Sequence, residues 1–143
     1  MDTRLTELLP AALNFKNGDI KIIKNAGAVV SHPFGSVMRS LMIAVYELGV
    51  EDILVIGHAG CGMQGFKASK IIQKMSERKV KKEKLDFARA CGVDVEKWLT
   101  GFDDAKTSVR ETVKIIRRHP LMPPGVRVRG FMIDPSTGEI KRV

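Results

Sequence analysis

His58 and Cys61 stand three positions apart at the end of an apolar run, in the stretch Asp52-Ile53-Leu54-Val55-Ile56-Gly57-His58-Ala59-Gly60-Cys61-Gly62. Imidazole nitrogen and thiolate sulfur are the donors zinc takes most readily. A catalytic zinc keeps three protein ligands and leaves a fourth position to water. This pair therefore supplies two ligands, and the third has to come from elsewhere. The spacing alone also fits a small buried cysteine beside a hydrogen-bonded histidine, and it leaves both readings open. A second pair, Asp2 and Arg4, sits two positions apart at the start of the chain. In an extended segment such residues point to the same side. An arginine fork there can grip the carboxylate, orient it and keep it ionised. Taken alone, the pair reads as a charged, frayed N-terminus rather than as a site.

Other reactive residues give weaker signals. Cys91 precedes Gly92 in a helical segment and is expected in the core. His32 and His119 both precede prolines in loop-like places and are expected to be structural or exposed. From Lys67 to Lys84, eight basic residues meet two acids in a chain of net charge +8. Such a run can attract anions or nucleic acid. Without interleaved aromatics it reads as a solvated helix face plus a linker, and neither a nucleic-acid nor a membrane partner is expected. A nucleotide-binding module would need a glycine-rich loop between strand and helix; Gly57, Gly60, Gly62 and Gly65 are available but are read as neither G-x-G-x-x-G nor G-x-x-x-x-G-K-S/T, so no nucleotide is expected.

Elements of alternating type must position these residues. Leu5–Leu13 has a helical stripe interrupted by Pro10, and Pro33–Leu48 reads as a long helix that Gly49 stops. Asp19–Lys24 and Ile53–Gly57 read as strands, the second with the composition of one buried on both faces. Helical pieces follow at Ser69–Arg78, Lys82–Cys91 and Val95–Leu99, and a longer helix spans Ala105–His119. Val126–Asp134 alternates as a strand, Pro135-Ser136-Thr137-Gly138 is a turn, and Glu139–Val143 closes a C-terminal hairpin. This order predicts an α/β fold, a mostly parallel sheet flanked by helices. The carboxyl ends of such strands are where these folds place their sites. A chain of 143 residues suits one domain. Its two cysteines form no secreted-type framework, which points to a reduced, cytoplasmic setting. No apolar stretch reaches the roughly 20 residues that span a bilayer.

The two pairs together resemble the β-class carbonic anhydrases. That family carries Cys-x-Asp-x-Arg at the end of its first sheet strand and His-x-x-Cys-Gly after a later one. Here stand Asp2-Thr3-Arg4 and His58-Ala59-Gly60-Cys61-Gly62. Between them, Asn25-Ala26-Gly27-Ala28, the stretch His32 to Arg39, the serines Ser36 and Ser40, and Leu48-Gly49 are similar to a bacterial branch of the family. The resemblance spans nearly the whole chain, residues 1–143, as one N-terminally truncated domain. The first cysteine ligand is expected immediately before Met1, and the family's N-terminal arm and first strand are missing.

The resemblance implies zinc as cofactor, held by His58, Cys61 and that further cysteine, and reversible hydration of carbon dioxide to bicarbonate and a proton. It implies that Asp2 accepts a hydrogen bond from the attacking oxygen, while Arg4 holds Asp2 in place. In some members the aspartate itself ligates zinc, so Asp2 is also a conditional ligand. Asn25, Ala26 and Gly27 are expected to shape the approach to the metal. A homodimer or higher homo-oligomer is implied as well. With only two ligands present, the chain as written is expected to bind zinc weakly and turn over little. The alternative is a non-catalytic zinc- or bicarbonate-binding relative on the same fold, which would bind metal without turnover.

Overall fold

The computed structural model describes residues 2–16 and 18–143. They form two compact units, Met1–Cys61 with Asp104–Val143, and Gly62–Asp103.

In the first unit, Asp52–His58 forms β1 and Arg127–Ile133 forms β2, paired in parallel from Asp52 opposite Arg127 to His58 opposite Ile133. Ile140–Arg142 forms β3, antiparallel to β2, so the sheet order is β1-β2-β3 and the expected hairpin closes the chain. Side chains alternate along a strand. Ile53 and Val55 of β1 therefore share one buried face with Val128 of β2. That face meets the helix α6, Ala105–Arg117. Asp104 starts α6 by accepting the Thr107 N–H at 2.7 Å, which satisfies a backbone donor the helix cannot pair internally. Val109, Val113 and Ile116 recur at helical spacing and bury against the sheet. Val30 and Met38 complete the cluster, the latter from α2, Ser36–Tyr46.

Two glycines set how near α6 can lie. A Cβ on Gly57 would come within 2.7 Å of Val109 Cγ2 and 2.9 Å of Met132 Sδ. One on Gly130 would come within 2.8 Å of Val109 Cγ1. Helix α1 of this unit spans Leu5–Ala12 with Pro10 inside it and buries no residue completely. Its Leu8 lies against the turn at Gly138.

The second unit holds α3 (Ala68–Glu77), α4 (Lys82–Ala90) and α5 (Val95–Leu99). Its two ends are stitched together. Gly65 N–H donates to Phe102 O at 2.8 Å, and Gly101 N–H donates to Phe66 O at 3.0 Å.

Four expectations need correction. Asp19–Lys24 is not a strand. No neighbour among the described residues offers it a ladder, and Ile22 and Ile23 lie exposed. Strand β1 is buried on one face only, because Leu54 and Ile56 opposite the α6 side are partly open. Helix α2 begins at Ser36 rather than Pro33. His32 closes a turn first, accepting the Phe34 N–H on Nδ1 at 3.0 Å and the Gly35 N–H on its carbonyl at 3.0 Å. Cys91 is exposed rather than in the core, since it caps α4, a helix that buries no residue.

Replacing Gly130 by alanine forces a methyl against three valines, Val109, Val113 and Val143, whose branched Cβ atoms cannot swing aside. The expected cost is about 1–3 kcal/mol, read as a lower denaturation midpoint with an unchanged slope.

Candidate metal and acid–base site

Strand β1 delivers His58 to its carboxyl end, on the face away from Gly57. The ladder continues one step further, with Ala59 N–H donating to Ile133 O at 3.0 Å. This anchors the chain where it leaves the sheet. Gly60 then takes φ +64, the left-handed region that glycine enters without strain, and the turn sets down Cys61.

The His58 side chain is 11 % exposed, and its Nδ1 lies 2.9 Å from Ala59 O. A carbonyl only accepts, so Nδ1 carries the proton in this contact. Neutral imidazole then keeps its lone pair on Nε2, ready for a metal. The Cys61 thiol is free and partly buried. One imidazole nitrogen and one thiol sulfur form a donor set that suits zinc. Among the described residues, no group of three His, Cys, Asp or Glu side chains comes together to hold a metal. His58 and Cys61 are two candidate donors, and a catalytic zinc takes three.

Asp2 and Arg4 do pair, though not along an extended strand. Residues 3 and 4 form a turn that leads into α1. Asp2 Oδ1 accepts the Arg4 backbone N–H at 3.0 Å, a local carboxylate-to-backbone bond that stabilises turns. The guanidinium then folds back: Nε lies 3.0 Å from Oδ1 and 3.2 Å from Oδ2, and Nη2 lies 2.6 Å from Oδ2. These hydrogen bonds, the side-chain ones first, hold the Asp2 carboxyl well below the usual carboxylate range and raise Arg4 further above its own. Asp2 Oδ2 lies 3.7 Å from His58 Nδ1, too long for a hydrogen bond but close enough to place the carboxylate beside the imidazole.

The structure therefore brings Asp2, Arg4 and His58 together, and sets Cys61 three residues beyond His58. Two participants carry no sequence signal. The Ala59 carbonyl orients His58 through its backbone. The charge of Asp134, next after the end of β2, adds the last and smallest push to the raised Arg4, while its Oδ1 accepts the Ser136 N–H at 2.8 Å. Asn25 fastens its own loop, donating from Nδ2 to Val29 O at 2.8 Å and accepting the Val29 N–H on Oδ1 at 3.1 Å. His32 and His119 are structural, as expected; His119 Nδ1 accepts the Leu121 N–H at 3.2 Å and its ring meets Phe34 edge-on. Gly60, Gly62 and Gly65 do fall in the order G-x-G-x-x-G, but the next helix begins only at Ala68. A dinucleotide loop needs the helix to open within the motif.

A family profile described as Carbonic anhydrase matches residues 1–140. The chain is 53 % identical over 140 residues to a Bacillus subtilis protein named "Putative carbonic anhydrase YvdA", covering 98 % of this chain and 71 % of that one. The crystal structure of β-carbonic anhydrase isoform I from Trichomonas vaginalis superposes with a TM-score of 0.89 at 30 % identity, covering 99 % of this chain and 77 % of that one. A carbon disulfide hydrolase structure superposes with a TM-score of 0.82 at 25 % identity, covering 99 % and 73 %.

The Asp2 carboxyl titrates lower in the folded protein than the value near 3.9 of an unfolded chain. Its pairing therefore stabilises the fold above about pH 4 and loses that contribution as pH falls toward the folded value. A carboxyl-carbon NMR titration is expected to find the Asp2 midpoint well below those of unpaired aspartates. In Arg4→Ala it is expected to return toward about 3.9.

Proposed function

Because the chain belongs to the β-carbonic anhydrase family, we propose that it catalyses the zinc-dependent, reversible hydration of carbon dioxide to bicarbonate and a proton. The observation that carries this reading is the Asp2–Arg4 fork set beside His58, the metal-ready imidazole. A purely structural zinc site has no use for an ionised carboxylate held at its margin.

His58 through Nε2 and Cys61 through its thiolate would hold the zinc. A catalytic zinc would need a third protein ligand besides these two. Bound there, zinc supplies the Lewis acidity that makes water a nucleophile near neutral pH.

The chain's own residues do the rest by positioning. Asp2 accepts a hydrogen bond from the attacking oxygen and so turns a lone pair toward the carbon of CO2. Arg4 keeps Asp2 ionised and fixes its orientation, so Asp2 neither takes up the reaction's proton nor drifts. That proton passes to buffer. The Ala59 carbonyl holds the His58 ring at Nδ1, which fixes the plane of the ligand nitrogen. With both Asp2 oxygens bonded to Arg4, the arrangement favours Asp2 as hydrogen-bond acceptor over Asp2 as metal ligand. A cytoplasmic homodimer or higher homo-oligomer acting on CO2 and bicarbonate belongs to the same reading. No helix among the described residues is long and apolar enough to cross a membrane.

Stopped-flow hydration with a pH indicator tests the proposal on protein loaded with zinc, its metal content measured alongside. A rate above buffer at mildly alkaline pH is expected, and its absence with zinc bound would leave a non-catalytic zinc protein instead. Asp2→Asn is expected to lower kcat/KM about 10²-fold or more while zinc content stays the same. His58→Ala and Cys61→Ser are each expected to lose the metal itself.

A further inference from the structure

The second unit presents cations that its own fold leaves unneutralised. Lys67, Lys70, Lys74 and Arg78 recur at helical spacing along α3 and its two ends, so they line one exposed stripe. The turn between α3 and α4 adds Lys79 and Lys81, and the first residue of α4 adds Lys82. Among the described residues, none of these seven side chains makes an ion pair. The nearby Glu77 is occupied instead by the Gln73 amide, at 3.0 Å.

The turn also exposes apolar groups among these charges. Val80, 40 % exposed, sits at its tip between Lys79 and Lys81. Lys79 takes φ +64, which turns the chain sharply at that tip. On α4, Phe87 lies three residues after Lys84, on the same side of the helix, and is 69 % exposed.

From this we infer that the α3–α4 turn docks on an anionic lipid surface, with Val80 entering the headgroup layer inside a ring of lysines. Two features favour lipid over nucleic acid. Six of the seven cations are lysines, compact charges that neutralise a surface without the bidentate forks that read phosphates and bases. An aliphatic tip has no base to stack on, whereas it gains by leaving water for the acyl boundary. Long lysine stems suit this geometry, because the methylenes lie along the apolar layer while the ammonium stays wet. Such contact is peripheral and needs no membrane-spanning helix.

Co-sedimentation of the full chain with vesicles tests it. Binding to phosphatidylglycerol-rich vesicles is expected, weakening as salt rises, with none to pure phosphatidylcholine. Lys81→Gln with Lys82→Gln is expected to reduce partitioning about 10- to 30-fold. Val80→Gln, which leaves the charge unchanged, is expected to reduce it about fivefold. All three positions are exposed, so an unchanged thermal melt shows that these variants stay folded. Failure to bind anionic vesicles would overturn the inference, as would equal binding to neutral ones. So would vesicle binding indifferent to Val80→Gln, or salt-sensitive binding to DNA or RNA without vesicle binding. CO2 hydration enters none of these readouts, so the inference and the proposed activity stand or fall separately.

Discussion

The parallel ladder between β1 and β2 fixes where His58 ends up. Pairing runs through to His58 opposite Ile133 and one hydrogen bond beyond. A one-residue slip would send every side chain of β1 to the other face. His58 would then lie on the α6 side, where Val109 already fills the space above Gly57. The register is held by apolar burial on that side and, at the other end of the strands, by Asp52 paired with both Arg127 and Arg129. The same packing that stabilises the sheet thus places the imidazole.

The Asp2–Arg4 ion pair is built by different means. Asp2 and Arg4 rely on a tight turn, a backbone amide and a guanidinium folded back on a neighbour. This arrangement is almost wholly local. It joins the site because the chain start lies beside the end of β1, with Asp134 at the end of β2 adding its charge near Arg4. An ionised carboxylate, locked by its arginine, and an imidazole, locked by a carbonyl, then meet in one small region. Each group is held in its orientation by a partner of its own.

Reading ahead from the residues works well where a pattern is local. Ala105 to Arg117 carries its apolar residues at helical spacing and its Asp104 cap in plain view. The hairpin turn is equally legible in Pro135-Ser136-Thr137-Gly138. The pattern misleads where partners decide. Ile20-Lys21-Ile22-Ile23 has strand composition, yet a strand exists only when a neighbour accepts its hydrogen bonds. Cys91 has a type that usually buries, but the residue ends a helix lying open to solvent. Asp2 and Arg4 pair as their types suggest, by a turn rather than the extended geometry their spacing invites.

The sequence by itself determined the donor types and their local order: a histidine and a cysteine three apart, an aspartate and an arginine two apart, and an apolar strand leading to the first pair. These are properties of neighbouring residues, and chain chemistry fixes them. Only the tertiary structure decided that Asp2 comes to lie beside His58, and that the Ala59 carbonyl holds Nδ1 of His58 and so leaves the lone pair on Nε2. The physical reason is that these outcomes depend on sheet register and on the close approach of α6. Both are set by contacts between segments far apart in the chain.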